Sequence, residues 1–245
     1  MSMINKLASL LNSYLFIDGI KDYGLNGLQV EASPFVNKIG VAVSVNQRVI
    51  NEAIRLNIDT LIVHHGLYWG KDYQPIKNIF GERIRQLIKK NINLLAYHLP
   101  LDVHSEIGNN FLLGKELGIE GSPDSLIKPH GIVYTSVFNQ SSDFLISKLK
   151  NKINPGIHVY HQKDHLYKIA WCTGAGADFM DDLIDIDCFI TGEISERHYD
   201  IAFEKNCMLI EAGHYATETL GIKALGEQLK KEGHDVVFID AWSPK

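Results

Sequence analysis

The sequence has few cysteines and no excess of basic residues. Its 245 residues include only three cysteines, Cys172, Cys188 and Cys207, with no CxxC pair. This odd number favours neither a disulfide framework nor a thiolate zinc site, and it is typical of a protein of the reducing cytoplasm. The net charge of −5 provides no general attraction to nucleic acids or anionic membranes, so we expect no strong nucleic-acid binding.

Long apolar runs are also missing. No uninterrupted apolar stretch approaches the ~20 residues that cross a bilayer, so we expect no membrane association. Residues 1–19 place apolar side chains at helical spacing and interrupt them with Asn12 and Ser13, which predicts an amphipathic helix rather than a signal peptide. The overall hydrophobic content of 45% is that of a folded globular protein.

Short apolar β-runs alternate with helical patterns in both halves of the chain. The predicted strands cover residues 38–45, 60–65, 93–98, 168–174, 188–192, 207–213 and 235–240, and the main predicted helices cover residues 46–57, 78–90, 195–206 and 216–231. Continuously apolar strands separated by helices are typical of a parallel sheet that is buried on both faces. The sequence therefore predicts the α/β class.

A segment of different character lies between these halves. It carries two β-like runs around a helical stretch near residues 142–153, and we interpret it as a small β-α-β insertion or connector. The predicted organisation is a first lobe over residues 1–120, this segment over 121–167, and a second lobe over 168–245. The basic residues of the segment favour a solvated surface over a binding face.

Two adjacent histidines, His64 and His65, end the predicted strand 60–65. Neighbouring side chains of a regular strand point to opposite faces, so two consecutive imidazoles are not expected to hold the same small object. They either have no joint role or serve two separate ions. An isolated pair of this kind is most often accidental.

Two further strands end in a histidine that an acidic residue follows four positions later. These pairs are His98 with Asp102 and His214 with Glu218. Because the carboxyl ends of parallel strands meet at one edge of a sheet, we expect the pairs to converge with the adjacent histidines. Neutral imidazoles and charge-compensating carboxylates together suit a pair of divalent ions ~3.5–4 Å apart. The alternative for each histidine alone is a hydrogen-bonded strand-end residue.

Other candidates carry weaker signals. Glu193 follows a strand of the second half, and it is either a general base or ligand partner, or a charge that favours a helix N-terminus. The stretch TGAGADF at 173–179 is either a phosphate-binding turn or a purely structural one. Tyr68 and Trp69 either stack on a base or line the mouth of a pocket, or they only pack against the core. We interpret His104, His198 and His234 as ordinary surface residues.

Six motifs resemble those of a known family, the type 2 GTP cyclohydrolase I homologues, also called the NGG-interacting-factor-three-like family, in its YbgI branch. They are NGLQVE (26–31), VHHGLYW (63–69), HLPLDVHSEIGNN (98–110), AWCTGAG (170–176), FITGEISE (189–196) and GHYATETLGIKAL (213–225). The resemblance covers nearly the whole chain and is weakest between residues 120 and 167.

The resemblance implies a two-lobed α/β fold, with similar, intertwined three-layer α/β/α lobes and a metal site in the cleft between them. It implies two divalent ions per chain, with the ligand positions on His64, His65, Asp102, His214 and Glu218. Histidine and carboxylate ligands without thiolate suit zinc, iron or manganese alike. His98 lies beside these positions and, with Glu193, is our candidate catalytic residue. The resemblance also implies a toroidal homohexamer.

Three functions remain open at this point. The first is a metal-dependent hydrolase that acts on a nucleotide or related small molecule through a metal-activated water. The second is GTP cyclohydrolase chemistry, which opens the guanine ring. The third is a non-enzymatic protein that binds metal or acts as a scaffold. We favour the first, and turnover of a nucleotide that depends on metal would separate the two enzymes from the scaffold.

Overall fold

The computed structural model describes residues 1–70 and 74–241. Its strands are β1 Gly27–Val30, β2 Lys38–Ser44, β3 Thr60–His65, β4 Asn93–Ala96, β5 Ser122–Pro123, β6 Tyr134–Ser141, β7 His158–Tyr160, β8 His165–Cys172, β9 Cys188–Thr191, β10 Met208–Glu211 and β11 Asp235–Phe238. Its α-helices are α1 Met3–Tyr14, α2 Gln47–Arg55, α3 Asn78–Lys89, α4 Leu99–Asp102, α5 Asn109–Leu117, α6 Ser142–Lys152, α7 Glu196–Glu204 and α8 His214–Lys231. Short 3-10 helices cover Ile17–Gly19 and Ala177–Asp181.

The chain divides into two compact units. Unit 1 contains Met1–Leu101 and the chain from Gly221 onward, and unit 2 contains Asp102–Leu220. The chain therefore begins in unit 1, builds unit 2 and returns, which is the intertwined connectivity that the resemblance implies. Each unit has its own sheet, and the predicted α/β class is confirmed.

The sheet of unit 1 has the order β1-β4-β3-β2-β11. The four strands from β4 to β11 run parallel, and β1 pairs antiparallel with β4. Local sequence explains the connecting helices: α2, for example, begins at the side chain of Asn46, which accepts a 3.0 Å hydrogen bond from the backbone N–H of Val49. The helix then buries Val49, Ile50 and Ala53 in the core of the unit, as its amphipathic pattern predicts.

The sheet of unit 2 has the order β5-β6-β8-β9-β10-β7. The strands β8, β9 and β10 are parallel, whereas β5, β6 and β7 pair antiparallel with their neighbours. The core includes Trp171, Leu145 and Ile190. Within the described residues, no helix combines the length and apolarity that crossing a membrane requires.

Two features of this architecture differ from the sequence-based expectations. The predicted boundaries at residues 120 and 167 do not coincide with those of the compact units, because β11 pairs with β2 and so belongs to unit 1. The segment 121–167 does contain a β-α-β pattern, but its strands join the sheet of unit 2, with β6 beside β8 and β7 beside β10. Such long-range pairings leave no local periodicity in the sequence.

Candidate metal centre

Three imidazoles lie together at the carboxyl end of the unit 1 sheet. His64 and His65 end β3, and His98 follows β4. The ring centroid of His64 is 4.6 Å from that of His65 and 5.1 Å from that of His98, and one ring nitrogen from each histidine lies within 4.8 Å of the other two. The rings of His64 and His65 therefore lie next to each other. We expected them on opposite faces of the sheet, but the regular strand ends at His65 and the alternation ends with it.

His64 is fully buried, and its hydrogen bond determines its tautomer. Its Nδ1 lies 2.9 Å from the backbone carbonyl oxygen of Tyr97. A carbonyl oxygen can only accept, so Nδ1–H donates and Nε2 of the neutral ring carries the lone pair. Half-buried His65 places its Nδ1 2.9 Å from the hydroxyl of Ser44, the residue opposite it on β2. Both rings are thus oriented by neighbours in the sheet, as metal-binding imidazoles require.

Asp22, which no sequence pattern singled out, orients His98. Nδ1–H of His98 donates to Asp22 across 2.9 Å, and the carboxylate also accepts from the backbone N–H groups of Gly24 and Leu99 at 2.8 Å. Burial alone would raise the pKa of Asp22, but hydrogen bonds from His98, Asn26 and Gly24 together lower it to about 2. The carboxylate can only accept this hydrogen bond, so it favours the tautomer of His98 that carries the hydrogen on Nδ1 and the lone pair on Nε2.

The NGLQVE motif supports the loops around these histidines. The side-chain oxygen of Asn26 accepts from the backbone N–H of His98 at 2.7 Å, and its Nδ2 donates to Asp22 at 2.9 Å. Gln29 accepts from the backbone N–H of Leu67 at 2.7 Å and donates to the carbonyl of Leu25 at 2.6 Å. These two amides therefore fix the chain that follows β3 and the chain that follows β4.

The two aromatic residues after the histidine pair have different environments. Tyr68 packs edge-to-face on Phe80, with ring centroids 5.3 Å apart, and is half-buried against the core of unit 1. Trp69 instead lies against the imidazoles, with its ring 5.0 Å from that of His98 and 5.7 Å from that of His65. Tyr68 therefore packs against the core, whereas Trp69 lies beside the candidate site.

Unit 2 brings two of the predicted carboxylates together. Asp102 and Glu218 are both buried, and one carboxylate oxygen of each lies within 4.8 Å of the other. Asp102 accepts a 2.8 Å hydrogen bond from the side chain of Asn109, which is itself fully buried at the start of α5. Two buried carboxylates so close together repel each other, and a positive charge beside them, either a bound cation or a protonated imidazole, relieves this repulsion.

His214 begins α8 and contacts two acidic side chains. Its Nε2 is 3.1 Å from the carboxylate of Glu218, one helical turn later, and its Nδ1 is 2.7 Å from the carboxylate of Glu193. Burial alone would lower the pKa of His214, but Glu218 and Glu193 together raise it to about 9. A metal ion that binds at Nε2 therefore has to replace a proton. Glu193 is 59% exposed and is the partner that orients this ring.

Gly174 makes room for the Glu218 carboxylate. Its φ of +65° lies in the left-handed region, and a Cβ at this position would stand 2.1 Å from Oε1 of Glu218. The backbone N–H of Gly174 donates to Thr217 at 3.1 Å, and its carbonyl accepts from the backbone N–H groups of Gly192 and Glu193. These contacts favour the structural interpretation of the TGAGADF turn over the phosphate-binding one.

Cys172 lies near the same carboxylates but belongs to none of the donor groups of the described residues. The side chain is buried. Burial raises the pKa of its thiol, and the charges of Asp102 and Glu218 raise it further. The thiol therefore stays protonated at neutral pH in the absence of a metal ion.

The expectation that His198 is an ordinary surface residue is wrong. Only 4% of the residue is exposed. Its Nδ1 accepts from the backbone N–H of Ser195 at 2.9 Å, and its Nε2–H donates to Asp178 at 2.9 Å. His198 thereby takes the place of the acidic residue in a capping box at the start of α7. Helix capping by histidine is uncommon, so the sequence pattern did not reveal it.

The donor groups within each unit fit a divalent metal ion. Unit 1 offers three imidazoles, a group that could hold a metal, and unit 2 offers two adjacent carboxylates with an imidazole 3.1 Å from one of them. Nitrogen and oxygen donors without thiolate suit zinc, iron and manganese alike. The buried hydrogen bonds to His64, His98 and Asp102 are of the kind that orients metal ligands.

Comparison with known proteins gives a match over almost the full chain. A sequence model of the family described as Duf34/NIF3 (NGG1p interacting factor 3) matches residues 2–244. A Vibrio cholerae protein named GTP cyclohydrolase 1 type 2 homolog is 41% identical over 250 residues, which cover 98% of each chain.

Solved structures agree with the sequence match. A protein called ybgI, whose function is described as unknown, superposes with a TM-score of 0.91 at 36% identity over 100% of both chains. A protein from Thermus thermophilus superposes with a TM-score of 0.86 at 35% identity, again over 100% of both chains.

Proposed function

The chain belongs to the Duf34/NIF3 family, and from this premise we propose that it is a dinuclear metal-dependent hydrolase of a nucleotide or related small molecule. The observation that carries the proposal is the donor chemistry of the two units, three oriented imidazoles in one and two adjacent buried carboxylates in the other. The name of the Vibrio cholerae relative, GTP cyclohydrolase 1 type 2 homolog, supports a nucleotide as the substrate class.

In this proposal five residues hold two divalent ions. They are His64, His65, Asp102, His214 and Glu218, the positions that the family resemblance implies. The carboxylates of unit 2 support the assignment, since one oxygen of Asp102 lies within 4.8 Å of one oxygen of Glu218. Glu218 would serve both ions, because its negative charge would compensate two nearby positive charges at once.

The buried hydrogen bonds support the geometry that such a site needs. Ligand imidazoles normally donate the second ring N–H to a carbonyl, hydroxyl or carboxylate, and His64 does so to Tyr97 and His214 to Glu193. Asn109 restrains the carboxylate of Asp102 in the same way. Bound divalent ions would lower the pKa of a water and polarise a phosphoryl or ring-carbon centre.

The side chains beside the ligands provide the proton transfers. We assign His98 as the general base, because its Nδ1–H is held by ionised Asp22 and the lone pair of this tautomer lies on Nε2. Glu193, which is largely exposed, holds the Nδ1 proton of His214 and is the second candidate.

The family resemblance further supports a homohexamer, which light scattering would test.

Turnover with and without metal tests the proposed function. Purified protein is assayed with a panel of nucleotides, before and after removal of metal with a chelator and again after zinc, iron or manganese is restored. We expect hydrolysis that chelation abolishes and one of these metals restores. Release of formate from GTP would indicate ring opening instead, and no turnover with any metal would favour the non-enzymatic alternative.

A variant separates the proposed base from the metal ligands. His98→Asn should keep the metal content and lose most of the turnover, since removal of a general base typically costs about 10²–10⁴-fold in rate. Glu82→Gln, an exposed helical carboxylate of unit 1, is the matched control and should behave like the unchanged protein. Loss of metal in His98→Asn would reassign His98 as a ligand.

A further inference from the structure

A surface of exposed and half-buried apolar side chains borders the three imidazoles of unit 1. We call it the aromatic rim and define it as Tyr23, Leu25 and Trp69. The ring of Tyr23 lies 5.0 Å from that of His98 and 5.7 Å from that of Trp69. Tyr23 is nevertheless 61% exposed and Leu25 53% exposed, so one side of the rim contacts the histidines and the other faces solvent.

Backbone hydrogen bonds hold the rim in place. The N–H of Gly70 donates to the carbonyl of Tyr23 at 2.7 Å, and the N–H of Leu25 donates to the carbonyl of Tyr68 at 3.2 Å. Between these two bonds, Gly24 and Trp69 form an antiparallel bridge. The side chains of Tyr23 and Trp69 are therefore positioned by the backbone, although most of the Tyr23 side chain is not buried.

Two other tyrosines of unit 1 do not expose their rings as Tyr23 does. Tyr68 packs on Phe80 in the core, and Tyr97 is buried with its hydroxyl 2.9 Å from the side chain of Asn12. Tyr23 has a fixed backbone and an exposed ring at the edge of a cluster of donor groups. A rigid aromatic face of this kind binds planar rings by stacking at low entropic cost.

We propose that the aromatic rim binds the base of a nucleotide or nucleoside, with the base stacked on Tyr23 and the remainder of the molecule directed toward the imidazoles. The inference rests on the proposed function and adds the part of the site that selects the substrate. In this arrangement Tyr23 favours molecules that carry a base over molecules that do not, and the contact is made by its ring rather than by its hydroxyl. Stacking tolerates different bases, because every base has a π-face.

Binding of guanosine tests the inference without a phosphate and without turnover. Isothermal titration calorimetry compares guanosine with ribose 5-phosphate, which has no base, on the protein as purified and after chelation. Tyr23→Ala should weaken guanosine binding about tenfold, and Tyr23→Phe should restore it, because a stacked base contributes on the order of 1–3 kcal/mol. Ribose 5-phosphate binding should be unchanged in both variants.

The control is Tyr167→Ala, which removes a tyrosine of β8. Tyr167 is 60% exposed, almost as much as Tyr23, and its removal should leave guanosine binding unchanged. Thermal unfolding and metal content of each variant confirm that the fold and the donor groups are intact. The inference is overturned if the unchanged protein does not bind guanosine, if Tyr23→Ala binds it normally, or if Tyr23→Ala weakens ribose 5-phosphate to the same extent. Failure of the proposed function would appear separately, as missing metal or missing turnover.

Discussion

A methyl group added at Gly174 should remove metal from the protein at a small cost in stability. In Gly174→Ala, the new Cβ would stand 2.1 Å from Oε1 and 3.1 Å from Cδ of Glu218. To reach an ordinary contact distance the carboxylate must move by about 1 Å, whereas metal–ligand distances tolerate only about 0.2 Å. Because Glu218 is the proposed bridging ligand, we expect both ions to be lost.

The backbone strain of this substitution can be measured separately. Gly174 has a φ of +65°, and an L-residue in this region costs about 1–2 kcal/mol. For a chain of this size that cost lowers the unfolding temperature by about 2–8 °C. Gly118 has nearly the same φ, +63°, but a Cβ there meets only Nζ at the end of the long Lys148 side chain, at 3.1 Å. Gly118→Ala therefore matches the strain without displacing Glu218.

The assay combines elemental analysis with thermal unfolding of both variants. We expect a similar fall in unfolding temperature in the two proteins, measured after chelation so that bound metal does not contribute to stability. Only Gly174→Ala should then fail to take up metal when it is restored. Equal metal content in the two alanine variants would refute the placement of Glu218 at the metal site.

Further substitutions test other parts of the proposed site. His64→Ala and His65→Ala should each lower the metal content by about one ion per chain, because a two-metal site shares its carboxylates but not its terminal imidazoles; full content in both, with circular dichroism unchanged, would disprove the assignment. Glu218→Gln should lower the occupancy of both ions, and loss of one ion alone would show that it does not bridge. Asp22→Asn should keep the metal and lower the free energy of unfolding by about 1–3 kcal/mol, since an amide cannot accept all of the hydrogen bonds made to Asp22. The pKa of Asp22 is lowered from 3.8 to about 2 on folding. Its ionised form therefore stabilises the protein above pH ~4, and this stabilisation is lost as the pH falls toward ~2. An acid-unfolding curve of Asp22→Asn that equals that of the unchanged protein would contradict this.

Features carried by local patterns could be predicted from the sequence. The strand predicted over 60–65 is β3, Thr60–His65, and the helix predicted over 78–90 is α3, Asn78–Lys89. The grouping of His64, His65 and His98 followed from the rule that parallel strands place their carboxyl ends at one edge. The strand and the helix were predicted from the spacing of apolar residues. This spacing can be read within a single segment, without knowledge of its distant contacts.

Features that depend on contacts between distant segments could not be predicted in this way. Asp22 meets His98 across 76 residues of chain, and its surroundings in the sequence contain no strand or helix pattern. β1 was missed because it is a short edge strand, and the pairing of β11 with β2 joins residues at opposite ends of the chain. The capping role of His198 departs from the acidic residue that a capping box usually contains.

Metal stoichiometry is the decisive test of the dinuclear site. Elemental analysis of the purified protein, with the chain quantified by amino-acid analysis, gives the number of ions per chain and identifies the metal. We expect two divalent ions of zinc, iron or manganese per chain, which chelation removes and the same metal restores. A protein that holds no ion, or only one after incubation with each of these metals, would contradict the proposal.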